Sequence, residues 1–85
     1  MLYSVEIGKN IVTIRNALGI TQKELAVKAG MSVSRLRDVE HGRANSCINM
    51  LVRIADALRV HPLSLFLLSL SNEEIQRILQ QIQEF

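Results

Sequence analysis

The sequence predicts an all-α protein, a five-helix bundle followed by a C-terminal amphipathic helix, and three observations support this prediction. Apolar residues recur every three or four positions along nearly the whole 85-residue chain, without the two-residue alternation of half-buried strands. Two helix-start signatures, at Thr21 and Ser32, follow each other closely with Gly30 between them. A third signature, at Ser71, opens a helix with one apolar face. The length and the 48% hydrophobic content fit one folded domain.

The first helix is indicated by an apolar stripe that ends at a glycine. Ile7, Ile11, Ile14 and Leu18 lie at i, i+4, i+7 and i+11, a spacing that places them on one side of a helix. Gly19 follows directly, and glycine is favoured just past the ends of helices. We therefore expect these four residues to face the core.

The second and third helices are predicted from their caps. Thr21 and Glu24 form the S/T-x-x-E capping box that begins a helix. Gly30 ends that helix because glycine readily adopts the left-handed conformation, and Ser32 offers a hydroxyl to cap the next one. Two short helices joined by a turn of three or four residues containing glycine are typical of a helix-turn-helix, whose second helix enters a major groove.

The fourth helix is expected to begin at Asn45 or Ser46. Its apolar positions repeat at three and four, namely Ile48, Leu51, Ile54, Ala55 and Leu58. Arg59 stands where a glycine would ordinarily form the C-terminal turn, so the end is inferred from Pro62 instead. Pro62 is expected to start a short fifth helix at the first position, which tolerates proline.

The C-terminal helix opens with a second capping box, formed by Ser71 and Glu74. Its apolar stripe comprises Ile75, Ile78, Leu79, Ile82 and Phe85. This stripe either folds back on its own domain or pairs two chains about a two-fold axis. We favour the pairing, because the stripe is larger than a last helix needs to finish a small bundle. Residues 71–85 are thus predicted to be a dimerisation element of the domain that residues 1–70 form.

Composition excludes several classes of function. Two Phe, one Tyr and no Trp argue against a base-stacking surface for single strands. The single Cys47 rules out an intramolecular disulfide and favours the cytoplasm, and with His41 and His61 it lacks the spacing of zinc sites. The longest apolar stretch, Leu63–Leu70, is too short to span a membrane. Because the sequence has no catalytic triad, phosphate-binding glycine loop or carboxylate pair, we expect no enzyme, no cofactor and no small-molecule ligand.

The charge is unevenly distributed. Residues 1–70 hold nine Lys and Arg against five Asp and Glu, a sum of +4, whereas residues 71–85 hold one against three, a sum of −2. A basic body supplies the electrostatic attraction that duplex binding needs, although an excess of this size is also common on ordinary solvated surfaces.

The third helix carries a set of side chains that can contact base edges. If Ser32 is its cap, Leu36 and Val39 face inward. The outward positions, taken as the candidate base contacts, are Val33, Ser34, Arg37, Asp38 and His41. Arg37 can form a bidentate pair with guanine, and Asp38 can accept from the amino group of cytosine. The alternative is a solvated helix face on which Asp38 merely offsets Arg35 or Arg37.

From Gly8 to Phe66 the chain resembles the phage repressor and Cro family of helix-turn-helix domains, the Xre type. The resemblance is carried by IGKNIVTIRNALGITQKELAVKAG, by the V-E-x-G-R of Val39 to Arg43 with Asn45 after it, and by LVRIADALRVHPLSLF. It implies a five-helix bundle whose third helix enters the major groove, and dimers that read two half-sites. It also implies that Arg15 and Glu40 form a structural ion pair between the first and third helices. Small controller proteins of restriction-modification systems and phage or plasmid repressors are similar.

The candidate phosphate contacts flank the third helix. The family's glutamine at the position of Gln22 contacts the DNA backbone, and the positive end of a helix dipole at this point favours a phosphate. Together with the loop after the third helix, the expected phosphate contacts are Gln22, Ser32, Arg35, Arg43 and Asn45, while Lys9, Lys23 and Lys28 are weaker candidates.

We therefore expect a sequence-specific transcriptional regulator that binds double-stranded DNA. It is expected to act as a homodimer on a palindromic operator, at its own or a neighbouring promoter. The alternative is an interaction module, such as an antitoxin or co-regulator, that uses the C-terminal helix to bind another protein.

Overall fold

The computed structural model describes residues 4–43, 48–67 and 72–83. Within these ranges it describes every side chain except those of Leu67, Asn72, Glu74, Ile75, Ile78, Ile82 and Gln83. The described residues form six α-helices and no strand: α1 (Ser4–Ala17), α2 (Gln22–Ala29), α3 (Val33–Glu40), α4 (Ile48–Leu58), α5 (Ser64–Leu67) and α6 (Asn72–Gln83). The predicted all-α fold is confirmed. No described helix is long and apolar enough to cross a lipid bilayer.

The caps of α2 and α3 are those that the sequence predicts. The Thr21 hydroxyl accepts from the Glu24 backbone N–H at 3.1 Å, and the Glu24 carboxylate accepts from the Thr21 N–H at 3.2 Å. Gly30 is left-handed, with φ of 67°, and the Ser32 hydroxyl accepts from the Arg35 N–H at 3.1 Å. The turn between α2 and α3 is therefore three residues long, as a helix-turn-helix requires.

Arg53, on α4, braces this turn from outside. Its Nε donates to the carbonyl oxygen of Ala29 at 3.0 Å, and its Nη2 donates to the carbonyl oxygen of Gly30. The last carbonyls of a helix lack partners inside the helix, so the guanidinium satisfies groups that would otherwise rely on water. The relative orientation of α2 and α3 is thus held by a third helix.

The core lies where α1, α2, α3, α4 and α5 meet. Its fully buried side chains include Ile11, Leu25, Leu36, Ile54 and Leu65. The closest backbone approach is that of α1 to the end of α3, at Gly8. A Cβ there would lie 2.6 Å from the carbonyl oxygen of Val39, and nearer still to that of Glu40. Only glycine lets these two helices pack at this separation.

One member of each predicted apolar stripe on α1 and α4 lies outside the core. Leu18 follows the last residue of α1 and is 53% exposed, because it lies beyond the part of the helix that the bundle covers. Ile48 is 77% exposed, whereas Met50, which the pattern did not include, is buried. Ile48 lies at the edge of the apolar face and in the first described turn of α4, where none of the described helices covers it.

The end of α4 is a left-handed turn without glycine. Arg59 has φ of 59°, its N–H bonds to the Asp56 carbonyl at 3.1 Å, and the N–H of Val60 bonds to the Ala55 carbonyl at 3.0 Å. This is the Schellman arrangement that glycine usually makes. Residues after it form a turn at Pro62, and α5 begins at Ser64, two residues later than predicted.

The last helix, α6, begins at Asn72, and the predicted cap Ser71 lies outside the described residues. The described polar side chains of α6, such as Gln76 and Gln80, are exposed, and Leu79 is also 46% exposed. The division into residues 1–70 and 71–85 stays a prediction.

Candidate nucleic-acid interface

The outer face of α3 presents a short row of polar side chains. Ser34, Arg37 and His41 are exposed, and half of the Asp38 side chain is exposed. Leu36 and Val39 are buried on the opposite side, as their spacing predicts. Val33 is partly buried and packs against the core. A smaller part of its side chain is therefore accessible to a base than of the four polar side chains in this row. The row combines hydrogen-bond donors with one acidic acceptor, the chemistry that base edges require.

The ends of α2 and α3 nearest to this row carry groups that suit phosphate. Gln22 and Lys23 are the first two residues of α2, where backbone N–H groups have no acceptor within the helix and the dipole is positive. The Ser32 hydroxyl, which accepts one bond as the cap of α3, still has its proton to donate. Arg35, one turn into α3, is exposed. Together these groups form a candidate anion-binding site along one edge of the polar row on α3.

A continuous chain of polar side chains runs beneath this surface. Arg15 Nε donates to Glu40 Oε2 at 2.9 Å, and Arg15 Nη2 lies 3.4 Å from Glu40 Oε1. Gln22 Nε2 donates to Glu40 Oε1 at 2.7 Å, and Arg37 Nε donates to Gln22 Oε1 at 3.3 Å. The side chain of Glu40 is 2% exposed and that of Arg15 is 13% exposed, so the ion pair is almost enclosed.

Asp38 and Arg43 are paired at the far end of α3. Arg43 Nη2 lies 3.3 Å from Asp38 Oδ1, and the Arg43 backbone N–H bonds to the Asp38 carbonyl at 2.8 Å. Both side chains are at least half exposed, so the pair is weak and can separate when another partner is offered. The negative charge of Asp38 is thus paired with Arg43, rather than with Arg35 or Arg37. Asn45, the other residue predicted in this loop, lies outside the described residues.

His41 ends α3 and bonds back to it. Its Nδ1 lies 2.7 Å from the carbonyl oxygen of Arg37, and because a carbonyl only accepts, Nδ1 must carry the proton. The imidazole is therefore held at the C-terminus of the helix with its second nitrogen, Nε2, as the remaining polar group for DNA.

The weaker phosphate candidates Lys9, Lys23 and Lys28 are all exposed, on α1 and α2. Among the contacts that the sequence did not predict are one between α2 and α3 and one between α4 and the end of α2. The bond between Gln22 and Arg37 joins residues 15 positions apart, and the brace from Arg53 joins helices that are separated along the chain. Neither leaves a local signal, because both depend on how the helices cross.

Of the predicted dimer contacts, the structure describes only the side chain of Leu79, which is nearly half exposed. The side chains of Ile75, Ile78 and Ile82, and the whole of Phe85, lie outside what is described. The positions of Ile75, Ile78 and Ile82 share one face of α6 with Leu79 by helical spacing.

Comparison with known proteins gives consistent matches. The sequence profile of the helix-turn-helix family matches residues 11–65. An uncharacterised HTH-type transcriptional regulator of Sinorhizobium fredii is 35% identical over 54 residues, which are 64% of this chain and 70% of the relative.

Two solved structures of restriction-modification controller proteins are similar over most of their length. C.AhdI from Aeromonas hydrophila is 29% identical, with a TM-score of 0.73 over 76% of this chain and 98% of that one. C.Esp1396I is 25% identical, with a TM-score of 0.72 over 94% of this chain and 97% of that one.

Proposed function

This chain belongs to the helix-turn-helix family of DNA-binding transcriptional regulators, and we propose that it reads a specific double-stranded operator as a homodimer. The observation that carries the proposal is the exposed polar row on α3, next to a helix N-terminus and basic side chains. A regulator of this kind works in the cytoplasm, in contact with the genome. Its family is one of regulators rather than enzymes.

The row on α3 lies in the major groove in this proposal. Arg37 pairs with the O6 and N7 atoms of a guanine, and Ser34 bonds to a neighbouring base edge. Asp38 leaves its exposed pair with Arg43 and accepts from a cytosine amino group. His41 offers Nε2, and the exposed part of Val33 touches a thymine methyl group. Four polar groups and one methyl contact are enough for one half-site of a few base pairs.

The phosphates on both sides of that groove are bound by the flanking groups. The first-turn N–H groups of α2, at Gln22 and Lys23, face one backbone, with Ser32 and Arg35 beside them. Arg43, once released from Asp38, reaches the other backbone, with Asn45 after it in the sequence. These contacts fix the register of α3 and carry no sequence preference themselves.

In the proposed homodimer the two chains contact each other through α6. Its apolar positions follow helical spacing, and Leu79 is nearly half exposed. A symmetric pairing of two such helices would bury this stripe and would place two α3 helices on successive turns of the same DNA face. The operator is then an inverted repeat.

A second candidate function uses the same helix differently. If α6 binds another protein, the chain is an antitoxin or co-regulator, and the exposure of Leu79 fits that role equally. The resemblance to the controller protein C.Esp1396I over 94% of this chain and 97% of that one favours the DNA-binding regulator, acting at its own or an adjacent promoter.

The test is selection of bound duplexes from a random library, followed by footprinting on the DNA upstream of the gene. The regulator is expected to enrich an inverted repeat with half-sites about 10 bp or a multiple apart, and the same repeat is expected upstream. Enrichment of single half-sites by a monomer would contradict the homodimer. No enrichment at all would contradict sequence-specific binding.

A further inference from the structure

The hydrogen bonds of Gln22 connect side chains that lie 15 and 18 positions away in the sequence. Gln22 bonds to Glu40 through its nitrogen at 2.7 Å and to Arg37 through its oxygen at 3.3 Å. Glu40 is itself fixed by Arg15 at 2.9 Å. The exposed Arg37 is therefore joined, through the Gln22 side chain, to the enclosed ion pair of Arg15 and Glu40 between α1 and α3.

Glu40 determines which way the Gln22 amide faces. A carboxylate only accepts hydrogen bonds, so the amide NH2 of Gln22 must point to Glu40 and the amide oxygen must point away from it. A guanidinium only donates, so that oxygen is the group that suits Arg37. Because Glu40 is buried and bonded to Arg15, it cannot turn to release the amide. The buried pair of Glu40 and Arg15 therefore fixes the orientation of the Gln22 amide.

The bond at Nε decides which donors of Arg37 face outward. Arginine has five N–H donors in a planar fork, and Gln22 engages the one on Nε. The pairs on Nη1 and Nη2 then form the leading edge of the side chain. A guanine presents two acceptors, O6 and N7, side by side, which two parallel N–H groups can meet.

We propose that Gln22 is a positioning residue, which holds Arg37 in the orientation that reads a guanine. The inference rests on the proposed function and deepens it. A side chain that is already held loses less conformational freedom on binding, so the bond raises the preference for one base pair rather than the affinity for every duplex. The second amide proton of Gln22 is free for a phosphate, so both roles are compatible.

The experiment compares Gln22→Met and Gln22→Ala with Arg37→Ala and with the double variant Gln22→Met/Arg37→Ala. Methionine keeps the length and apolar stem of glutamine and removes both hydrogen bonds. Gln80→Met, on the exposed face of α6, is the matched control. The probe is the duplex that the wild-type protein selects from a random library, together with each of its single-base variants. The Nε–Hε resonance of Arg37 in the free protein is followed by NMR, assigned by its loss in Arg37→Ala.

Arg37→Ala is expected to remove a preference of about 5- to 150-fold at one base pair. Gln22→Met and Gln22→Ala are expected to lower that same preference by about 2- to 10-fold, the entropy of one held side chain. The double variant should show the same loss of base preference as Arg37→Ala, because Gln22 affects that preference only through Arg37. Arg37 Hε should lose its protection from solvent exchange in both Gln22 variants, and Gln80→Met should change neither measurement.

Two results overturn the inference. Equal weakening on every duplex, with the base preference intact, would make Gln22 a phosphate contact alone. Unchanged exchange of Arg37 Hε would show that the bond does not hold the side chain. If the wild-type protein enriches no sequence, sequence-specific binding itself is rejected. The proposal that Gln22 positions Arg37 for a base is then rejected as well.

Discussion

Removal of the Glu40 carboxylate should destabilise the protein more than removal of any exposed charge. Glu40 is 2% exposed at its side chain and accepts from Arg15 at 2.9 Å and from Gln22 at 2.7 Å. In Glu40→Ala, Arg15 keeps its bond to the Ile20 carbonyl but is left almost enclosed without a counter-charge. Breaking one side of a buried pair costs about 3–5 kcal/mol. A domain of this size has a free energy of unfolding of roughly 4–13 kcal/mol, so this is a large fraction.

Urea unfolding followed by circular dichroism measures this loss, and thermal melting should show a midpoint lower by about 12–40 °C, at 4–8 °C for each kcal/mol. The control is Glu73→Ala, which removes the exposed pair of Glu73 with Arg77 on α6 and should cost less than about 0.5 kcal/mol. Replacing both partners, as Arg15→Met/Glu40→Leu, should recover most of the loss, because no buried charge then remains. A melting point for Glu40→Ala within a few degrees of the wild type would show that the Arg15–Glu40 pair contributes little to stability.

Three further predictions concern packing, a turn and assembly. Gly8→Ala should lower the free energy of unfolding in urea by about 1–3 kcal/mol, since its methyl group would collide with the end of α3. Arg59→Gly should raise the same quantity by about 0.5–1 kcal/mol, because relief of about 1–2 kcal/mol of left-handed strain exceeds the chain entropy that glycine adds. Ile78→Glu/Ile82→Glu should convert the proposed dimer to monomers in sedimentation equilibrium, because four charges would enter one symmetric contact.

Each of these has its own control or contradicting result. Asn16→Ala, on the exposed side of α1, gains helix propensity without a collision and should be neutral or stabilising, so equal losses at Gly8 and Asn16 would remove the packing argument. A destabilised Arg59→Gly would mean that the arginine side chain contributes more than its backbone strain costs. An Ile78→Glu/Ile82→Glu variant that stays dimeric would move the interface elsewhere, and an unfolded one would show that α6 completes its own core.

Local signals predicted the helix boundaries best. Thr21, Gly30 and Ser32 each act on backbone groups within four residues, so their roles follow from the sequence alone. The turn at Arg59 was missed because a left-handed arginine is held by its surroundings rather than by its own preference. Leu18 was misplaced because periodicity gives the direction of a side chain and not the extent of the elements that cover it.

The candidate interface was predictable residue by residue but not as a connected unit. Helical spacing places Arg37 and Asp38 on the outer face of α3, and resemblance to a family pairs Arg15 with Glu40. The bond that Gln22 makes to Arg37 follows from the crossing of α2 over α3, and the pairing of Asp38 with Arg43 follows from the turn after α3. Such contacts depend on how the folded backbone brings side chains together, and the spacing of residues along the chain does not predict this.

Titration of the wild type and Arg37→Ala against the selected operator and its single-base variants tests whether α3 reads base sequence. At one fixed salt concentration, Arg37→Ala should bind the operator more weakly by about 1–3 kcal/mol and should lose its preference at one base pair in each half-site. Arg77→Ala, an exposed arginine on α6, should leave that preference in place. If Arg37→Ala keeps every base preference of the wild type, α3 does not read DNA through this residue and the account is contradicted.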